Sequence, residues 1–236
     1  MTESRGSPLV PAIVGGVVGS VLTTAVLILA APQFMSSRIV RQGMLHDPQI
    51  LVDAADALRD RQYAPTLASS RGLIETPFAS SWKGAEKPEV VLVEFYDYAC
   101  PYCKASNPHV DQLVRENPKL RVVYRELPIL GPDSVMAARL SLAASKAGRF
   151  QQFHDALYAA GRPAPETNAA AARIANIPPT PTQDVAIEAE LKKNFRLASQ
   201  LGATGTPLFV VGDRVLSGAV GYEALKKAVD DAQKKG

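Results

Sequence analysis

The chain carries two cysteines, Cys100 and Cys103, with only Pro101 and Tyr102 between them. Three chemistries are open to such a pair. It can exchange electrons with other thiols and disulfides, it can staple a turn or stay reduced, or it can hold a soft ion such as Cu(I). The surroundings weigh toward the first. Residues 90–96 (VVLVEFY) form a near-continuous apolar run, the pattern of a buried strand, and helical sequence opens at the cysteines and runs toward Glu116. Cys100 therefore falls at a helix N-terminus, where unpaired N–H groups and the helix dipole favour an anion. Such placement brings a thiol from a pKa of about 8.5 to roughly 3.5–7.5, which makes it ionised and a good leaving group. Cys103 lies one turn further in. It is the resolving thiol, the one that attacks a mixed disulfide and frees Cys100. The exchange asks for no cofactor. A copper-sequestering or chaperone protein built on the same pair is the alternative, and two ligands alone would need a second subunit or an added ligand.

Composition removes other classes. The formal net charge of +3 is small and the basic residues are scattered, so nucleic acid is not indicated as a partner. Two cysteines three apart are too few for a stapled secreted mini-protein, and a zinc ribbon needs a second pair. His46, His109 and His154 stand far apart in sequence and read as helix residues with satisfied or solvated rings.

The elements that position the pair form an α/β pattern. Residues 120–127 (LRVVYREL) read as a second strand after the cysteine helix, giving a βαβ unit. A helical insert follows over about residues 131–202, with a cap at Asp133 or Ser134 and apolar stripes at Phe150, Phe153, Leu157 and at Ile187, Leu191, Phe195, Ala198. Residues 208–211 and 214–216 flank Gly212-Asp213, a hairpin signal, and a last helix carries Tyr222, Leu225 and Val229. The catalytic domain thus spans residues 89–236 as βαβ, helical insert, ββα, with helices on both faces of a mixed sheet.

Three segments precede it. Residues 9–31 are 23 uncharged residues, about 34 Å as a helix against a bilayer core of about 30 Å, and read as an uncleaved transmembrane anchor behind a short cytoplasmic tail, residues 1–8; the rival reading, a cleaved signal peptide, has a shorter apolar region and a better cleavage site than the alanines before Pro32. Charge around the span, with Arg5 on one side and Arg38 and Arg41 on the other, leans slightly toward the opposite direction and sets none firmly. An oxidising compartment for the cysteines sets it, placing the domain outside the inner membrane, in the periplasm. Residues 40–63 contain an amphipathic helix, with Asp47-Pro48 as cap and first turn and Leu51, Ala54, Ala55, Leu58 on one face. It is expected to stop near Gln62 because of Pro65, and to fold back on its own domain or pair with another subunit as a homo-oligomer. Residues 64–88 read as linker with a short strand.

EFYDYACPYC (residues 94–103), FHDALY (153–158) and GATGTPLFVVGDRVLSG (202–218) resemble the DsbA-like thioredoxin superfamily of bacterial envelope oxidoreductases, and HDPQILVDAADALRDRQ (46–62) resembles the N-terminal segment of its Com1/ScsC-type members. The resemblance implies a thioredoxin-like fold and a periplasmic enzyme acting on thiols and disulfides of exported proteins, reset by a membrane redox partner that is DsbB-like or DsbD-like. It implies Cys100 as the exposed nucleophile, Cys103 as its partner in the redox disulfide, and Pro207 as a cis-proline facing them. Pro101, Tyr102, Thr206 and Pro207 would contact substrate, with the Thr206 backbone receiving a substrate strand. Glu94 would be a buried acid that relays a proton to or from Cys103, and Asp97 a loop or capping residue. Pro101-Tyr102 departs from the Pro-His of the DsbA oxidase, and Thr206 is closer to isomerases and ScsC proteins. Oxidase and oligomeric isomerase or reductase both stay open.

Overall fold

The computed structural model describes residues 39–180 and 183–234. The expected anchor, residues 9–31, lies outside the described residues. No helix among the described residues is long and apolar enough to cross a membrane.

Among the described residues five strands form one mixed sheet: β1 (Trp82–Gly84), β2 (Val90–Tyr96), β3 (Leu120–Glu126), β4 (Leu208–Val211) and β5 (Arg214–Ser217). Their spatial order is β1-β3-β2-β4-β5. β2 and β3 run parallel, joined through α2 (Pro101–Glu116), and every other pairing is antiparallel. This is the thioredoxin-like arrangement. β2 is central, paired on both sides and buried along nearly all its length, which is why its sequence shows no polar alternation. Its side chains still alternate between faces. Leu92 and Tyr96 join the core on the side of α2 and α7 (Tyr222–Gln233). Val93 and Phe95 join a second core with Leu197 and Leu201.

Between β3 and β4 lie four helices: α3 (Pro132–Lys146), α4 (Phe150–Ala160), α5 (Pro165–Ile174) and α6 (Val185–Gln200). The stripes read from the sequence are largely buried, with Phe150, Phe153 and Leu157 on α4 and Ile187, Leu191 and Ala198 on α6. Phe195 is an exception, exposed at the surface of α6. Ser134 does not cap α3; Gly131 stands at that position, and the Ser134 hydroxyl points instead to Asp97.

The helix preceding the sheet departs from expectation. It does not stop near Gln62. α1 runs Gln49–Glu75 with Pro65 inside it, so residues 64–75 are helix and not linker. Proline removes one N–H donor from the ladder. The turns beyond it recover more than that loss. Leu67 and Ile74 are almost fully buried in the core with Val93, Phe95 and Val123. The end of the helix is then held by Arg125 of β3, a buried guanidinium. Its Nε donates to the Ile74 carbonyl at 2.8 Å and its Nη2 to those of Leu73 and of Thr76, the latter at 2.7 Å. Its Nη1 donates to Glu190 Oε1 and Asn194 Oδ1, each at 2.9 Å. One side chain thus supplies the donors that carbonyls at a helix end need and ties α1, β3 and α6 together. Removing Arg125 would strand the buried carbonyls it serves and leave Glu190 with Lys193 alone, at 2.5 Å. We expect Arg125→Met to lower unfolding free energy by about 3–5 kcal/mol in a urea titration. A loss below about 1 kcal/mol would show that this connection is not structural.

Candidate active site

The site is built at the corner where β2 meets α2. The chain leaves the sheet at Tyr96, turns through Asp97, Tyr98 and Ala99, and enters the helix with Cys100 as cap and Pro101 at the first helical position. Proline is suited there because its missing N–H would have had no helical partner. Asp97 fixes the turn. Its Oδ1 accepts from the Ala99 N–H at 2.8 Å and the Ser134 hydroxyl at 2.5 Å. Its Oδ2 accepts from the N–H groups of Ile129 and Leu130 at 2.8 and 2.9 Å. Four donors on one buried carboxylate join the redox turn to the loop after β3 and to α3. The sequence identified Asp97 only as a loop or capping residue; its long-range bonds had no local signal.

Both cysteines are free thiols. Cys103 is fully buried, one turn into the helix. Cys100 is the outer of the two, yet only 5% exposed, so the expectation of an openly exposed nucleophile is corrected. The covering group is the loop before β4. The Thr206–Pro207 bond is cis, and the Cys100 thiol donates to the Thr206 carbonyl at 3.2 Å. Tyr102 is 64% exposed and Pro101 is exposed beside it, so the dipeptide rims the nucleophile from the helix side. The structure therefore brings Cys100, Pro101, Tyr102, Thr206 and Pro207 to one place.

Glu94 lies beneath them, in the middle of β2, paired in register with Tyr124 and Phe209. It is buried, and neither carboxyl oxygen has a hydrogen-bond partner. Burial, with the charge of Asp111 adding to it, pushes its pKa up to about 8. Burial, and then the charge of Glu94, pushes the Cys103 thiol well above its ordinary value. The arrangement is chemically coherent. Cys103 must lose a proton to attack a mixed disulfide, water is excluded from it, and an acid with proton affinity near neutrality interacts with it.

A second buried polar group was missed by sequence reading. Glu126 of β3 accepts from the Ser141 hydroxyl at 2.8 Å and the Tyr96 hydroxyl at 3.1 Å. The Tyr98 hydroxyl stands 3.0 Å from Ser141 Oγ and 3.2 Å from His154 Nδ1. Burial raises Glu126 to about 7 and lowers His154 to about 3, so this histidine is a neutral core residue. The network anchors Tyr98, two residues before Cys100. Its only trace in the sequence is the adjacent pair Arg125-Glu126 inside an apolar strand, each charge serving one face of the sheet. Among the described residues no group of three or more His, Cys, Asp or Glu is placed to hold a metal ion.

With this geometry in place, comparison with known proteins defines the class. Residues 91–230 match the DSBA-like thioredoxin domain, and the chain belongs to that family. A periplasmic thioredoxin-like protein from Salmonella enterica serovar Typhimurium superposes with a TM-score of 0.65 at 30% identity, covering 70% of this chain and 95% of that one. The catalytic domain of Proteus mirabilis ScsC gives 0.67 at 29% identity, covering 72% and 98%. The thiol-disulfide exchange protein alpha-DsbA2 from Wolbachia pipientis gives 0.64 at 26%, covering 75% and 97%. Among curated relatives, the chain is 33% identical over 106 residues to the Na(+)/H(+) antiporter NhaA 3 of Salinispora tropica, a match covering 42% of this chain. The chain spans only 16% of that relative and 28% of a second such antiporter, from Salinispora arenicola. The domain is a DsbA-like thiol–disulfide oxidoreductase domain, as its motifs implied.

The raised pKa of Glu94 has a measurable sign. A carboxyl that holds its proton more tightly when folded makes the folded state lose stability as pH rises from about 4.5 to about 8. Glu94→Gln removes that titration. We expect the variant and the parent to be equally pH-sensitive below about pH 4.5, and the variant to gain on the parent up to about pH 8, by roughly 3–5 kcal/mol at about 1.4 kcal/mol per pK unit. Parallel stability–pH curves for the two chains would contradict a raised Glu94.

Proposed function

We propose that this chain is a membrane-anchored enzyme that exchanges disulfides with exported proteins through the Cys100–Cys103 pair. The observation that carries the reading is the contact of the Cys100 thiol with the Thr206 carbonyl. It sets the nucleophile against a stretch of backbone that can receive an extended substrate segment as an added strand. Cys100 would attack a substrate disulfide, forming a mixed disulfide and releasing one substrate thiolate. Cys103, giving its proton to the ionised form of Glu94, would displace the second substrate thiolate and close the Cys100–Cys103 disulfide. Two electrons pass from the pair to the substrate, and the reverse sequence oxidises a substrate dithiol. Pro101, Tyr102, Thr206 and Pro207 would line the substrate's path.

Residues 9–31 supply the anchor in this reading, with the domain in the periplasm. The periplasmic thioredoxin-like protein among the structural relatives supports that compartment. A membrane partner, DsbB-like if the pair is kept oxidised or DsbD-like if reduced, would reset it. The same residues serve oxidase and isomerase, and one observation favours the second. Leu51 and Leu58 of α1 are more than half exposed, a stripe suited to pairing between subunits, and several active sites held together suit the reshuffling of a misfolded substrate. The copper alternative has only the two thiols to stand on and would need ligands from another copy.

We expect Cys100→Ser to abolish exchange, and Cys103→Ser to accumulate substrate adducts on Cys100 that a reductant releases. Absence of any adduct, read by mass spectrometry of the captured chain, would sink the reading. For the isomerase assignment, the full chain should rescue a scrambled test protein, and Leu51→Glu with Leu58→Glu should remove most of that rescue. Oxidation of a reduced substrate with no rescue of a scrambled one, whatever the state of the helix, would assign an oxidase instead.

A further inference from the structure

Beside Cys100 lies a groove of about 200 Å³ that the exchange chemistry does not itself require. One wall is the redox corner: Tyr98, Ala99, Cys100 and Pro101. The other is Gly161 and Arg162, in the loop that follows α4 of the helical insert. Gly161 has a φ of 111°, which an L side chain rarely adopts, and this turn carries Arg162 over to the cysteine. Lys104, on the first turn of α2, closes the groove.

The floor of this groove is apolar and its two long side chains are cations. Neither Lys104 nor Arg162 has an ion-pair partner among the described residues, although many cations elsewhere are matched, as Lys83 is with Asp111 and Arg139 with Glu188. Glu166 follows Arg162 by four residues without pairing to it. The positive end of α2 adds to the same field. Two unmatched cations and a helix N-terminus around one nucleophile attract negative charge, and the groove is too small for more than a side chain or two.

We propose that Lys104 and Arg162 form a specificity subsite that selects substrate segments with an acidic residue next to the reacting cysteine. The subsite rests on the exchange reading given above and names the substrate class for it. An aspartate or glutamate one or two positions from the substrate cysteine would lie in the groove, with its stem against Tyr98 and Pro101 and its carboxylate between the two cations. Arg162 offers a planar fork to that carboxylate and Lys104 a mobile point charge.

The test uses the oxidised full chain and reduced peptides with a single cysteine flanked by Glu, Gln or Lys. The peptide thiolate attacks Cys100, breaking the Cys100–Cys103 bond. It forms a peptide–Cys100 disulfide and leaves Cys103 as the thiol. Each rate is divided by the same peptide's rate with hydroxyethyl disulfide, so that the neighbour's effect on the thiol itself cancels. We expect the Glu peptide to exceed the Gln peptide by about three- to tenfold at low salt, and the Lys peptide to fall below both. The Glu/Gln ratio should shrink toward one near 1 M salt, where the Debye length is about 3 Å. In Lys104→Gln with Arg162→Gln it should be near one at every ionic strength, and in Lys104→Arg with Arg162→Lys it should persist. A ratio near one in the parent, with the Gln peptide reacting, would overturn the subsite alone. A ratio unmoved by the double Gln change would do the same. No reaction with any peptide would overturn the exchange reading, and the subsite with it.

Discussion

The geometry of the site depends on one corner of backbone being held against another. The turn from β2 into α2 must present Cys100 to the loop that carries Thr206 and the cis-proline, and the thiol–carbonyl distance of 3.2 Å is the result. Neither partner is near the other in sequence. The sheet brings them together, because β2 and β4 are antiparallel neighbours with Phe95 opposite Leu208. Asp97 then fixes the turn through four donors, and the Glu126 network fixes Tyr98. A nucleophile that must meet substrate at hydrogen-bond range cannot sit on a loose loop, since misplacement of about 1 Å costs rate heavily.

The second constraint is electrostatic and runs inward. Cys103 and Glu94 are both buried, and after burial itself the charge of Glu94 is what most disfavours the thiolate of Cys103. In the proposed exchange Glu94, when ionised, would take the proton that Cys103 must give up. Asp111 of α2, paired to Lys83 of β1, sets the field felt by Glu94 from outside the core.

Much of this was legible in the sequence. A near-continuous apolar run fixed β2, the cysteines after it fixed the start of α2, and the hairpin at Gly212-Asp213 is where the turn residues required it. The cis-proline at Pro207 and the burial of Glu94 were expected from resemblance to a family and not from spacing. Other features needed the third dimension. Pro65 reads as a stop by local rules, but α1 continues because its later turns are packed on the sheet and held by Arg125. Arg125 and Glu126 sit side by side in one strand, and only the sheet sends them to opposite faces with opposite tasks. The near-complete cover over Cys100 comes from a loop about a hundred residues away, which no local pattern encodes.

The claim most exposed to a single measurement is that Cys100 and Cys103 form one reversible redox pair. Equilibrating the full chain in glutathione buffers from roughly −300 to −100 mV, with thiols counted by mass spectrometry, reads this directly. The account expects a single two-electron transition inside that range, ending in an intramolecular Cys100–Cys103 disulfide. A pair that stays in one state throughout, or that oxidises only to glutathione adducts or to disulfides between chains, would contradict it.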